Sequence, residues 1–443
     1  MLKPTNRNDN LAKRNGWGSR EVLPLTGLRF LAALFVVLGH SINSLLTFNP
    51  PVQNLLIAFQ ILTAIGMSLF FVLSGFVIHY NYYGSIREGK EATARFFVAR
   101  SARLIPLYFL FLSSELGISW SASAFPSAYY YFALAQSWVY IQYDGRSLLS
   151  HMIYAPVTWS ISTEWFFYCL YPLVAILVSR RGIISLVGAT LVYMSILSLG
   201  YLNTHFIDDF GLRVWGPTAV DRSDGNTLFY AWVFNFSPLG RLHEFFTGVI
   251  AAHLFVTLSN RGHTSRIEPI LGAMVLTGAL AVLFAVQVAL TSSAMAQYYQ
   301  YIAAASMFLV PITVGTIILS LGHYPSIPAT LLSSAPLVAA GEASYSIYLF
   351  HTPALQMVSF GKLIPLNAFF GMIVASRYLV FLILLILFCV GMYKAYESGM
   401  RSFIRKRLDV RRSGIAKVVI ALSIGVPTVT ALCGWCISFG LLR

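Results

Sequence analysis

The sequence predicts an all-α, polytopic membrane helical bundle of about 10–11 transmembrane helices with its N-terminus in the cytoplasm. Three observations carry that prediction. Of 443 residues, 57% are hydrophobic and only 10% charged, and with a mean hydropathy of +0.71 the chain has more apolar surface than a soluble domain could bury. The apolar residues gather in runs of about 20, the length that crosses a bilayer as a helix. Between the runs, Lys and Arg concentrate on alternate connections, as they do on the cytoplasmic side of polytopic proteins.

The first 20 residues are polar and basic (Lys3, Arg7, Lys13, Arg14, Arg20), and no small-residue cleavage site follows the first apolar run. The expectation is a retained cytoplasmic segment, 1–22, and not a removed signal peptide. Spans follow at about 25–46, 55–80, 104–119, 158–178, 183–201, 240–258, 269–290, 299–321, 336–358, 374–393 and 418–440. The aromatic stretch 125–140 is shorter and reads as an interfacial or re-entrant piece. With the N-terminus inside, the cytoplasmic connections hold Arg87, Lys90, Arg95, Arg100 and Arg103, then Arg180 and Arg181, then Arg261 and Arg266. The last of them, from Lys394 to Lys417, is the most basic. The longest opposite connection, 202–238, sets Asp208, Asp209, Asp221 and Asp224 against Arg213 and Arg222. The neutral loop near 322–333 carries no signal. No repeat or soluble domain is visible, so the organisation reads as a membrane domain, 23–401, followed by 402–443, a basic cytoplasmic connection and an extra C-terminal span.

The formal net charge of +14 belongs to these loops, and no nucleic-acid partner is expected. Cys169, Cys389, Cys433 and Cys436 lie in apolar runs and suit small core residues better than a disulfide framework. CGWC, Cys433 to Cys436, has redox spacing without a thioredoxin-like context.

Polar residues inside spans cost enough free energy to need a reason. Arg29 and His40 are 11 residues apart in the first span; at about 100° per residue they fall within about 20° of one face, some 16 Å apart. Arg29 also reads as a snorkelling anchor, and His40 as a satisfied core histidine. Ser74 and Gly75 offer a place where a helix or slim ligand approaches closely. Arg100 and Arg103, if helical, point the same way and could grip a phosphate or diphosphate; otherwise they are a positive-inside flank. Ser160 and Glu164, at i and i+4, can face one cavity. Arg241 and Glu244, at i and i+3, read as an ion pair that is either part of a site or a structural staple. Ser344, Tyr348 and His351 form one stripe with Tyr345 one step round. Counted from their span ends, His40, Glu164 and His351 come to similar depth, the composition of a general acid/base site. No pair of His or Cys has convincing metal-ligand spacing, so no metal is expected.

Together LRFLAALFVVLGH, FFVLSGFVI, RSARLIPLY, TWSISTEWFFY, RLHEFFTG, SYSIYLFHTP and YKAYESGMR, in this order from about Leu23 to Arg401, resemble the integral membrane acyltransferase family 3, which includes O-acetylases of lipopolysaccharide, peptidoglycan and exopolysaccharide. The resemblance implies transfer of an acyl group, usually acetyl, from acyl-coenzyme A to a hydroxyl of an exported or lipid-linked glycan. It places Arg29 and His40 on the family's essential signature and Arg100 and Arg103 on its coenzyme A contacts, and it puts Glu164, Tyr345 and His351 on its other functional positions. The chain ends at Arg443 without the extracytoplasmic domain that peptidoglycan-modifying members often carry, so a lipid-linked or small glycan is the expected acceptor.

In that chemistry His40 is the expected general base, with Glu164 or His351 orienting it. Direct transfer and an acyl-histidine intermediate both fit. Ser74 is grouped with the acyl-coenzyme A contacts; Tyr345, Tyr348, Arg241 and Glu244 are grouped with the acceptor. Tyr129, Tyr130, Tyr131, Trp138 and Trp215 could stack on sugar rings or form an interfacial belt. Acyl-coenzyme A is a co-substrate, and no resident cofactor is expected. The expected location is a bacterial cytoplasmic (inner) membrane, with membrane lipids as surroundings. Two competing readings are a proton-coupled transporter using the same buried His, Glu and Tyr residues, and a non-catalytic scaffold.

Overall fold

The computed structural model describes residues 21–45, 53–118, 125–143, 146–150, 155–221, 227–261, 268–357, 368–408 and 413–439. Its helices are α1 (Leu23–Leu45), α2 (Gln53–Ile86), α3 (Lys90–Ile118), α4 (Phe125–Phe132), α5 (Trp159–Leu202), α6 (Thr204–Trp215), α7 (Pro238–Arg261) and α8 (Glu268–Thr291). They continue with α9 (Tyr299–His323), α10 (Ile327–Leu332), α11 (Ala335–Glu342), α12 (Ser344–Met357), α13 (Ala368–Met392), α14 (Ser398–Arg407) and α15 (Ser413–Ser438). The one β element among the described residues is a two-residue antiparallel pair that aligns Gln142 with Ser147 and Tyr143 with Arg146. The chain is therefore an all-α polytopic bundle.

Among the described residues nine helices are long and apolar enough to cross a membrane. Two features account for the difference from the eleven expected spans. α5 runs for 44 residues, about 66 Å at 1.5 Å per residue, twice the apolar thickness of a bilayer. It is broken at Gly182, whose φ of 78° and ψ of 167° are non-helical, so two of the expected spans share one element. The span expected at 336–358 is also divided: α11 ends at Glu342 and α12 begins at Ser344, and neither half alone is long enough. The reading of 87–103 as a loop is corrected, because α3 begins at Lys90 and carries Arg95, Arg100 and Arg103 on its first turns.

The helices form two compact units. Unit 1 holds Ile78–Phe246 and the described residues from Met400 on; unit 2 holds the described residues up to Val77 and Thr247–Gly399. In unit 2, α1 is gripped through glycines. A Cβ on Gly341 of α11 would meet the Thr26 backbone, one on Gly27 would meet the Leu332 backbone, and one on Gly66 of α2 would lie 2.7 Å from the Ala32 carbonyl. Such backbone-to-backbone approach is the usual basis of helix association where lipid removes the hydrophobic drive. A second face of α1 (Ala33, Val37) packs with α12 (Ile347, Leu355) and α13 (Phe381, Leu385, Cys389) into one apolar seam.

In unit 1 the C-terminal helix α15 rests one face on its neighbours. Trp165 Nε1 donates to the Ser423 carbonyl at 3.0 Å, and a Cβ on Gly434 would come within 3.0 Å of Ile141 and Tyr130 atoms. Cys433 and Cys436 of CGWC are free thiols on this helix.

Candidate active site

In unit 2 the α1–α12–α13 seam carries the histidines. His351 is fully buried and follows the stripe expected on α12: its ring lies 5.8 Å from Tyr348, which meets Phe70 of α2 edge-on at 5.9 Å. His351 Nδ1 lies 2.6 Å from the Tyr348 carbonyl and its Nε2 lies 3.1 Å from His40 Nδ1. The ring centroids are 5.0 Å apart. A carbonyl only accepts, so His351 Nδ1 carries its proton and Nε2 offers a lone pair. His40 Nδ1–H must then be the donor between the rings, which leaves His40 Nε2 as a lone pair. Thr352 Oγ1 lies 3.2 Å from the same His351 nitrogen, and the Val36 backbone takes a further hydrogen bond from His40, which leaves Nε2 bare where one Nδ1–H serves both acceptors. An imidazole held this way can take a proton from a hydroxyl at Nε2.

Of the other residues read from the sequence in unit 2, Arg29 and His40 are half-buried on α1, and Ser74, Tyr345 and Tyr348 are buried. One residue of this seam was missed. Glu397, at the end of a π-helical turn, Tyr393–Glu397, is 3% exposed and accepts from Ser346 Oγ at 3.2 Å. It stands inside the closing segment YKAYESGMR, where it had no assigned part.

Unit 1 gathers the remaining charged residues. Glu164 accepts from Tyr168 OH, one turn later on α5, at 2.5 Å. Arg100 is buried; its Nη2–H donates to Tyr82 OH at 2.9 Å, and its guanidinium lies over the rings of Tyr82 and Tyr168 at 4.9 and 5.8 Å. Arg103 is half-buried on the same helix. Tyr171 OH lies 3.2 Å from His79 Nδ1. Neither Tyr82, Tyr168 nor His79 stood out beforehand. The i and i+4 spacing of Glu164 and Tyr168 was a signal that could have found one of them.

Ser160 Oγ donates to the Val157 carbonyl at 3.3 Å. The hydroxyls of TWSISTE serve packing. Ser162 Oγ donates to the Leu134 carbonyl at 2.8 Å and accepts from Ser137 Oγ at 2.9 Å; Thr158 accepts from Gln136. Arg241 and Glu244 do form an ion pair, at 3.1 Å. Arg241 Nε also donates to the Asn235 carbonyl at 2.9 Å, tying the start of α7 to the π-helical turn Trp232–Phe236. Tyr130 and Tyr131 are corrected as sugar platforms, since both are fully buried and Tyr131 OH donates to the Leu148 carbonyl at 2.8 Å. Trp138 is half-buried and donates to the Ser162 carbonyl at 2.9 Å, Trp215 packs on Phe229 at 4.8 Å, and Tyr129 stays exposed. Among the described residues no three His, Cys, Asp or Glu side chains gather as a metal site would need.

The chain matches a family model described as an acyltransferase domain over residues 24–394. It is 24% identical over 396 residues to the O-acetyltransferase OatA of Staphylococcus aureus (strain MRSA252), covering 84% of this chain and 58% of that protein. The chain thus spans a little over half the length of OatA. It is 26% identical over 336 residues to the acyltransferase MdmB of Streptomyces mycarofaciens, covering 74% of this chain and 77% of that protein. No solved structure matches. The family model covers more than four-fifths of a chain built of membrane-length helices, and the chain belongs to acyltransferase family 3 as a multi-pass membrane protein.

Proposed function

We propose that the protein is an O-acyltransferase that moves an acyl group, acetyl in the first instance, from acyl-coenzyme A to a hydroxyl of an exported or lipid-linked glycan. The observation that carries the reading is the nitrogen-to-nitrogen contact of His40 and His351 at 3.1 Å in a chain of this family. Names borne by its relatives, an O-acetyltransferase and an acyltransferase, support the reaction class.

In this reading His40 Nε2 takes the proton of the acceptor hydroxyl as its oxygen attacks the thioester carbonyl. The tetrahedral intermediate then breaks its C–S bond, and the departing sulfur takes the proton back from His40 as coenzyme A leaves. His351 selects the His40 tautomer and stabilises the imidazolium, the part an acidic residue plays in serine hydrolase triads. In unit 2, Arg29 and Ser74 stand on the helices that pack around the histidines, Tyr348 borders His351, and Tyr345 is assigned with it to the acceptor. In unit 1, the basic turn of α3 that carries Arg100 and Arg103 answers to the coenzyme's phosphates, Glu164 is the second acid/base group, and Arg241 and Glu244 have parts in structure or acceptor binding. The enzyme sits in a bacterial cytoplasmic membrane with the basic connections, from Lys394 to Lys417 above all, on the inside.

The test is mass spectrometry of envelope and secreted glycans from three strains: wild type, deletion, and His40→Ala. An acyl adduct present in the first and missing from the other two is expected. An adduct that persists with His40→Ala removes His40 from the reaction.

A further inference from the structure

Arg100 and Arg103 form a pair in the sequence, three residues apart, but unit 1 treats them differently. Arg100 is 6% exposed, which makes its charge costly unless paired. The surroundings are built for it: Tyr82 accepts from its Nη2 at 2.9 Å, the faces of Tyr82 and Tyr168 lie 4.9 and 5.8 Å away, and Glu164 acts on it electrostatically. Tyr168 stands between the two charges, its ring against Arg100 and its hydroxyl donating to Glu164 Oε1 at 2.5 Å. A cation on the face of a phenol strengthens it as a donor, and the short contact to a carboxylate is what such a donor makes. Arg103 is half-buried, and its charge acts on the same two tyrosines.

We propose that Arg100 is a positioning residue that holds Glu164 in place through Tyr168, and that the grip on the phosphates of the acyl donor falls to Arg103. This rests on the acyltransferase reading above. It separates two residues that the RSAR spacing groups together, and it adds Tyr82 and Tyr168 to the machinery.

The test uses the full chain in lipid nanodiscs, with acetyl-coenzyme A turnover followed by release of free thiol and coenzyme A binding followed by calorimetry. Arg103→Ala is expected to raise both KM for acetyl-coenzyme A and Kd for coenzyme A about tenfold with kcat little changed, the loss of one charge-assisted contact. Arg100→Lys, which keeps the charge but not the planar fork, and Tyr168→Phe, which removes one hydroxyl, are each expected to lower kcat about 10- to 100-fold with KM within about twofold. Coenzyme A binding should not change in either. Arg100→Lys weakening coenzyme A as much as Arg103→Ala, with Tyr168→Phe silent, overturns the proposal; Arg100 Nε, which finds no acceptor among the described residues, would then be a phosphate donor. Tyr168→Phe keeps the test open should Arg100→Lys fail to fold, as thermal unfolding would show. If the wild type binds coenzyme A but transfers nothing, the acyltransferase reading fails, while the binding arm still separates Arg100 from Arg103.

Discussion

Replacing His351 with Phe isolates the part it plays for His40. The ring and its fully buried packing are kept, including the contact with Tyr348, while both nitrogens go. His40 Nδ1–H then loses the acceptor 3.1 Å away. The Val36 backbone still accepts from the half-buried His40, so losing one hydrogen bond disfavours the competent Nδ1–H form by about 0.5–1.5 kcal/mol against the form protonated on Nε2, the nitrogen the reaction needs bare. At about 1.4 kcal/mol per tenfold the rate falls about 2- to 13-fold. Removing the base itself with His40→Ala costs more, about 10²- to 10⁴-fold. The His40→Ala, His351→Phe double variant should be no slower than His40→Ala, because His351 acts only through His40. The assay is thiol release from acetyl-coenzyme A in nanodiscs with acceptor present, alongside thermal unfolding of each variant. A His351→Phe enzyme within twofold of wild type, or a double variant whose losses multiply, would refute the tautomer argument.

Other expectations follow from packing. Gly341→Val should lower the unfolding midpoint in detergent, since even a Cβ there meets the Thr26 backbone and overpacking costs about 1–3 kcal/mol. Gly391→Ala, where a Cβ meets nothing within 4 Å, should be neutral or stabilising by up to about 1 kcal/mol. Trp165→Phe removes the donor to Ser423 and should destabilise by about 1 kcal/mol, read as a lower midpoint or faster proteolysis near α15. Arg241→Ala removes the ion pair with Glu244, whose side chain is 3% exposed, and should lower the unfolding midpoint; a normal midpoint with weaker acceptor binding would instead make the pair part of the acceptor site.

Period and length showed the spans, because a membrane helix must satisfy its own backbone in a fixed thickness of hydrocarbon. They did not show where a span divides. The break at Gly182 fell beside Arg180 and Arg181 and was legible as a connection; the break at Ala343 was not, since ala, gly and ser around it read equally well as helix. Arg29 and His40 stood out as costly residues on one face, and depth counting grouped His40 with Glu164 and His351 without choosing the partner that unit 2 shows, His351. Tyr82 and Tyr168 did not stand out, because a tyrosine in an apolar run is ordinary until its neighbours are known. Glu397 was hidden for another reason: it follows the last turn of α13 in a basic stretch, where a carboxylate looks solvated, whereas in the fold it is buried and accepts from Ser346, 51 residues earlier.

Burial also explains where the chemistry is concentrated. The charge-free second half of α5 is the less buried one: its buried residues cluster from Trp159 to Val178, while past Gly182 only Thr190, Met194 and Leu197 are buried. Glu164 and Tyr168 lie in the enclosed half. The same division separates whole helices: the most apolar window of α2 is 72% buried, whereas those of α8 and α15 are 22% and 17% buried. Hydropathy cannot distinguish these helices, because lipid and protein interior are equally apolar. A charged side chain can, since it persists only where other side chains replace water. Arg100, Glu164 and the two histidines therefore mark the helices that face protein, and those marks were present in the sequence before any packing was known.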